Sequence, residues 1–476
     1  MLATPAMGEA RSTASRHRAG LGGAGALVGL VVLAQVATSL GGCESGPSDT
    51  PSAADASSPE VAVIDASPRR DAAREAGPTG STIRFEDWAR WDDYAPNCEL
   101  RIPANKEQFP PPLVWEPTPA YGSTGIRGKR IRIDWAPAPG GDWMRDKNDG
   151  LVMPDGTVLL QIGEARESGY LHVIADLQGE IRSAIYAPLK KCALDSRPSN
   201  GSRYAYGMYE YVGGVESVTH GAIGGVIGAP HPSAVAKYER SRGVTAAEQG
   251  VVEGEGAFLS VVIHPWDGVS PSTKVFGGLS VIGLRAYQDI FFFSVSTTDI
   301  GAMKVYTPEY GLKDLLTYPG DRTRGAANLN TDGKVWVWLE GSERPPGELL
   351  FPKVALMTSS FVRDVSKIVP RAVRTDLTGN GMGTASLVTA CGRVARYAAR
   401  NFPDGSVDMG FEIFNLADGT GWFLPQAIAG VGSFSMLMAL TCDEIVLMSE
   451  QIVPNEERRN TVVRLELSSL GAFRLN

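Results

Sequence analysis

Cys43, Cys98, Cys192, Cys391 and Cys442, with five histidines and 53 carboxylates, are the side chains of this 476-residue chain with the widest chemical reach. A nucleophilic serine on a strand-to-helix elbow needs Gly-x-Ser-x-Gly, and a zinc peptidase needs His-Glu-x-x-His; neither spacing occurs. No Cys-x-x-Cys pair exists, so zinc ribbons and thioredoxin-like exchange lack their basic spacing. Gly125-Ile126-Arg127-Gly128-Lys129-Arg130 fails the phosphate-loop spacing and has no hydroxyl residue after its lysine. Asp376-Leu377-Thr378-Gly379-Asn380-Gly381 alternates oxygen-bearing side chains ahead of a glycine turn, as a calcium loop does. Thr378 stands where an acid or amide is usual, however, and Leu387 where a helix-loop-helix site would place Glu, so the segment reads as a tight inter-strand turn. His172, His220, His231 and His264 have no carboxylate or second histidine at ligand spacing and read as structural or surface groups. No catalytic residue, metal ligand or cofactor is assigned.

The amino-terminal segment gives the cysteines their context. Arg11, Arg16 and Arg18 precede residues 20–40, which carry no charge: a positive region followed by an apolar one, as in an export signal. The apolar run ends in Leu40-Gly41-Gly42-Cys43, which resembles the lipobox of bacterial lipoproteins: an aliphatic residue, two small residues, then cysteine. The resemblance implies removal of residues 1–42, a diacylglyceryl thioether on Cys43 and acylation of its new amine. Acyl chains buried at about 0.8 kcal/mol per CH₂ make such an anchor effectively permanent. The same apolar run is long enough to span a bilayer uncleaved, and ordinary signal cleavage is the third reading. Gly20-Leu21-Gly22-Gly23-Ala24-Gly25 has dinucleotide-binding spacing but no strand before it, and lies within the leader.

Residues 43–82 are rich in Pro, Ala, Ser and Asp and hold no aromatic residue, a composition with too little apolar surface to offset ordering entropy. They read as a disordered tether whose mean reach is on the order of 35 Å. Without residues 1–42 the net charge falls from −8 to −10, so an acidic head would not adhere to anionic lipid and the anchor must hold it. That charge, with no dense Lys/Arg stripe, also argues against nucleic acid as a partner. The four remaining cysteines fit two disulfides in an oxidising compartment, with Cys391–Cys442 and Cys98–Cys192 favoured over the other pairings and over four free thiols.

The rest of the chain repeats. MPDGTVLLQIGE from Met153, AYQDIFFFSVST from Ala286, NTDGKVWVWLEG from Asn330, TACGRVARYAAR from Thr389 and LTCDEIVLMSEQ from Leu440 each join a polar or Gly turn to a strand-forming run. Weaker members are centred at Asn200 and Glu255. Units of about 45 residues, each a four-stranded meander, predict an all-β chain folded as a β-propeller over residues 141–476, with seven blades expected and six or eight as alternatives. A β-sandwich pair or a β-solenoid is the competing fold. Cys391 and Cys442 occupy matching turn positions of successive units, which is why they are paired. Residues 83–140 differ: Phe85, Trp88 and Trp91 share a side, the prolines of Phe109–Trp115 exclude helix, and KRIRIDW from Lys129 alternates as an outer or closing strand. The segment is expected to be an extended aromatic arm packing on the head.

These readings converge on an envelope-anchored lipoprotein, at the outer membrane or cell surface rather than the inner membrane. Its monomeric head would bind a protein, peptide or glycan through propeller loops, without enzymatic activity. The alternative function is a surface hydrolase or lyase acting on polysaccharide or a lactone-like substrate, which requires carboxylates from separate blades at one channel mouth.

Overall fold

The computed structural model describes residues 93–94, 100–101, 112–117, 125–133, 149–152, 157–166, 169–187, 193–195, 203–212, 215–226, 233–236, 241–255, 260–267, 269–278, 280–296, 300–319, 324–342, 353–378, 387–401, 407–428, 432–451 and 459–475. The leader, Cys43, the tether, Cys98, Cys192, His231, Phe85, Trp88 and Trp91 lie outside the described residues.

Among the described residues seven antiparallel sheets follow one another along the chain, here sheets 1 to 7, with four-stranded meanders over residues 149–187, 193–236, 241–277, 280–319, 324–378, 388–425 and 427–466. The apolar runs explain both the strands and their stacking. In sheet 4, strand Ile290–Ser296 holds Ile290, Phe291, Phe292 and Phe293, each at most 2% exposed. Successive side chains of a strand point to opposite faces. Phe291 and Phe293 accordingly enter the core shared with sheet 3, while Ile290 and Phe292 enter the core shared with sheet 5. Strand Val335–Ser342 of sheet 5 divides the same way, Trp336 and Trp338 toward sheet 4 and Val337 and Leu339 toward sheet 6. A sheet with two buried faces must have two neighbours. Further cores join sheets 2 and 3 through Ala205, Ala246 and Val251, sheets 6 and 7 through Phe411 and Leu447, and sheets 7 and 1 through Val446 and Val173. Last sheet on first closes the ring, and the fold is the expected β-propeller.

The first strands of sheets 3, 4 and 5 each carry a register shift, at Ser241/Val244, Ile282/Arg285 and Ala327/Asn330. Such bulges sharpen local twist.

The closing sheet draws on both ends of the chain. Strand Gly128–Ile133 pairs with Arg459–Glu466 and so becomes an outer strand of sheet 7, as its alternation predicts. Ile131 is 1% exposed in the core between sheets 7 and 1. Leu113 enters that core too, its amide donating to the Gly179 carbonyl at 2.7 Å. Gly179 has φ +95°, and a Cβ there would collide with the Leu113 carbonyl, so the turn admits glycine alone. Past sheet 7, Leu467 and Leu470 enter the core between sheets 6 and 7, and Arg474–Leu475 pairs with the outer strand of sheet 6.

Five of the aligned turns fall where expected, between two consecutive paired strands of one sheet. The two weaker members differ. Glu255 ends strand Gly250–Glu255, and the corresponding turn of sheet 3 is Glu248-Gln249. Asn200, outside the described residues, lies in sequence between the short first strand of sheet 2, Ala193–Asp195, and Arg203–Val212, ahead of the Val212–Val215 junction of the long strands Arg203–Val212 and Val215–Val226. The glycines at 254 and 256 mimic a turn signal, while Glu248-Gln249 carries none.

Candidate functional site

The turns after the first strands of sheets 5 and 6 and after the second strand of sheet 7 meet on one face of the ring, and the Cys391–Cys442 disulfide joins two of them with Cα atoms 5.1 Å apart. The expected pairing therefore forms. Cys391 and Gly392 have φ of +51° and +70°, the left-handed pair of a tight hairpin turn. Threonines set the turns. Thr331 Oγ1 donates to the Val335 carbonyl at 2.6 Å and accepts from the Gly333 amide at 3.0 Å; Thr389 Oγ1 donates to the Arg393 carbonyl at 3.0 Å; Thr441 Oγ1 accepts from the Glu444 amide at 2.8 Å. The sequence carries that signal, since NTDG, TACG and LTCD each contain the threonine ahead of the polar or Gly turn.

Around the disulfide lies a cleft of about 870 Å³, walled by these turns and by Val158 and Gln178 of sheet 1. Asp176, 2% exposed, builds the sheet 1 turn: its Oδ1 accepts from the amides of Gln178 and Glu180, both at 2.9 Å, and its Oδ2 binds Arg182 at 2.6 Å. Three of the wall carboxylates, Asp332, Glu444 and Glu466, are also engaged. Asp332 Oδ1 accepts from the amides of Lys334 at 2.9 Å and Val335 at 3.1 Å. Glu444 pairs with Arg464, whose Nε lies 2.8 Å from Oε2 and whose guanidinium also donates to the Leu177 carbonyl and stacks 4.8 Å over Trp115. Glu466 pairs with Arg127 at 2.8 Å, and Arg393 donates to the Cys442 carbonyl. Two of these ties cross between sheets, Arg464 to Leu177 and Arg393 to Cys442, and with the disulfide they fix the walls relative to one another. Lys334, Gln178, Asp443 and Ser468 supply its hydrogen-bonding groups.

A second tie binds sheets 4 and 5. Arg363 donates to both oxygens of Asp289, at 2.9 and 2.6 Å, and to Glu309 at 2.7 Å. Hydrogen bonding to Arg363 holds the Asp289 and Glu309 carboxyls below their ordinary values, and the two carboxylates hold Arg363 more firmly protonated. Burial, and next the Asp332 charge, push the Tyr287 phenol up; its hydroxyl donates to the Asp332 carbonyl at 3.3 Å.

The remaining sequence candidates stand apart from the cleft. Leu377 and Thr378 belong to strand Arg371–Thr378, Leu377 buried and Thr378 Oγ1 donating to the Ala399 carbonyl, so the aspartate-led segment starts in a strand rather than in a turn. Gly379, Asn380 and Gly381 lie outside the described residues. Among the described residues no cluster of three His, Cys, Asp or Glu side chains forms a metal site. His264 is 4% exposed with Nδ1 2.8 Å from Ser272 Oγ, and His172 and His220 sit in strands.

Neither protein-family models nor curated proteins match the chain. Solved structures do. A polysaccharide lyase, Uly1, is similar over 70% of this chain and 92% of its own, at 9% identity and TM-score 0.38. The β-propeller domain of the Trilobed protease from Pyrococcus furiosus covers 57% of this chain and 95% of itself, at 9% identity and TM-score 0.35. A prolyl endopeptidase covers 65% and 49%, at 10% identity and TM-score 0.39. The sheet order and cores, rather than these distant likenesses, place the chain among β-propeller proteins.

Proposed function

We propose that this chain is an exported lipoprotein, anchored through Cys43 at the outer membrane or cell surface, whose propeller is a non-enzymatic binding or assembly module for a protein, peptide or glycan. The observation that carries the reading is the Cys391–Cys442 disulfide, because such bonds form and persist in oxidising compartments. The charged and apolar leader ending at Leu40-Gly41-Gly42-Cys43 supports the anchor. The cleft supports binding: its walls are tied between sheets by the disulfide and by Arg464 and Arg393 donating to the Leu177 and Cys442 carbonyls, and Asp332, Glu444 and Glu466 are occupied by backbone amides or arginines. Rigid elements that present fixed polar groups suit recognition.

Mass spectrometry of protein extracted from envelopes tests the anchor. The expected amino-terminal peptide starts at Cys43 and carries diacylglyceryl and acyl groups; a mature protein that keeps Gly42 sinks the anchor. Crosslinking in intact envelopes, alongside a glycan array, tests the module. A specific partner lost on Lys334→Glu supports the cleft, whereas background alone in both experiments rejects the binding reading.

A further inference from the structure

The cleft beside the disulfide is walled by engaged groups and also carries unengaged ones. Gln178, Lys334, Trp422 and Asp443 line it, and the amide, ammonium, indole N–H and carboxylate of these side chains make no hydrogen bond or ion pair among the described residues. Gln178, Lys334 and Asp443, all exposed, are held instead through their main-chain amides, which donate to Asp176 Oδ1 at 2.9 Å, Asp332 Oδ1 at 2.9 Å and Thr441 Oγ1 at 3.1 Å. The turns thus fix where each side chain starts and leave its polar end to the cleft. Trp422, in strand Gly421–Pro425, packs partly buried against the core of sheets 6 and 7, and what stays uncovered belongs to the cleft wall.

These groups describe a ligand. An indole offers an apolar body with one N–H at its edge. A carboxylate accepts on two oxygens, an amide both accepts and donates, and an ammonium donates in three directions. A molecule that satisfies all of them has an apolar face and, around its rim, hydroxyls that donate and accept; a pyranose ring, with C–H bonds on its faces and hydroxyls at its edge, is such a molecule. Charge argues the same way. Glu444 and Glu466 are each matched by an arginine, Arg393 offsets Asp332 and Lys334 offsets Asp443, so on a chain of net charge −8 the cleft is close to neutral and selects no ligand charge. An extended peptide fits less well, because it needs a free strand edge, and at Trp422 the edge is already paired with Arg474. A cleft of about 870 Å³ is of the size that holds small ligands, so it takes a short stretch of glycan.

We propose that the cleft beside the Cys391–Cys442 disulfide binds an uncharged glycan, one pyranose ring lying against Trp422 and neighbouring hydroxyls bonded to Asp443, Gln178 and Lys334. This rests on the reading of the same cleft as a binding surface and names its ligand class. Calorimetric titration of the purified full chain with cellohexaose, maltohexaose, chitohexaose and mannohexaose is the test, with oligogalacturonate as the anionic arm and glycerol as the ring-free hydroxyl arm. At least one neutral hexasaccharide should bind more tightly than both, with an affinity that added salt leaves unchanged. Asp443→Ala and Gln178→Ala should each cost about tenfold in affinity, the size of one or two hydrogen bonds, with the thermal midpoint unchanged because neither side chain has a partner in the fold. The change in tryptophan emission on binding should be lost in Trp422→Phe. Arg324→Gln, at the far end of strand Arg324–Thr331 from this face, should leave the titration as it was. No heat with any neutral hexasaccharide up to about 10 mM, beyond the weak limit of specific affinity, overturns the proposal. Tighter binding of oligogalacturonate overturns it too, as does an affinity indifferent to both alanine substitutions. A crosslinked protein partner lost on Lys334→Glu, with no heat from the glycans, rejects the glycan and keeps the binding module.

Discussion

Cys391 holds a left-handed backbone, which costs a residue with a Cβ about 1–2 kcal/mol, and it does so at the spot where its side chain reaches the next sheet. The crosslink closes a separation of 51 residues, for which chain entropy gives about 4 kcal/mol of stabilisation. Cys391→Ser with Cys442→Ser should therefore lower the free energy of unfolding by about 2–4 kcal/mol while the strand signal in circular dichroism persists; an unchanged urea midpoint would show that the bond adds nothing. Asp289 predicts an acid-limb effect. Bonding to Arg363 depresses its folded pKa, so the native state takes up its proton less readily than the unfolded chain. The stability it lends is complete above the ordinary aspartate value near pH 4 and is lost as pH falls through the lower folded value. Asp289→Asn should flatten the dependence of the urea midpoint on the acid side of about pH 4 and leave its slope near neutrality alone.

At the scale of elements, each inner strand serves two cores, and neighbouring residues on one strand stabilise different seams. Phe293→Ala removes a ring from the core of sheets 3 and 4, and Trp338→Ala one from the core of sheets 4 and 5. Each should cost about 3–5 kcal/mol by chemical denaturation. With no shared core the two losses should add to within about 0.5 kcal/mol, and strong non-additivity would mean the seams are not independent. These strands were legible in the sequence because a run such as IFFF, apolar at every position, has no solvent face to offer. Turns were legible where glycine or a polar pair interrupts such a run, and Cys391 and Cys442 could be paired from their matching places. What stayed hidden depends on non-local placement. Asn328 at φ +60° in a bulge has no local cue, and Lys334, Trp422 and Asp443 line one cleft only when sheets 5, 6 and 7 meet.

At the scale of the whole molecule, the ring is held shut by chain from opposite ends. Gly128–Ile133 pairs along Arg459–Glu466, Leu113 fills the seam between sheets 7 and 1, and Arg464 grips Trp115, Leu177 and Glu444 together. A protein beginning after residue 133 would lose this strand, exposing the edge of Arg459–Glu466 and uncovering Met438, Val446 and Val462. Unpaired edges are templates for association. Such a truncation should bind a hydrophobic dye, associate in sedimentation and unfold without one sharp transition. The defect is one of pairing rather than of lost information, so a peptide of residues 112–133 should repair it in trans by strand addition. The same peptide with Ile131→Asp, which would bury an unpaired carboxylate in the closing core, should fail. If the truncated protein instead melts as sharply and at the same temperature as the full chain, the first and last sheets hold each other without the strand, and its role in closure is dispensable.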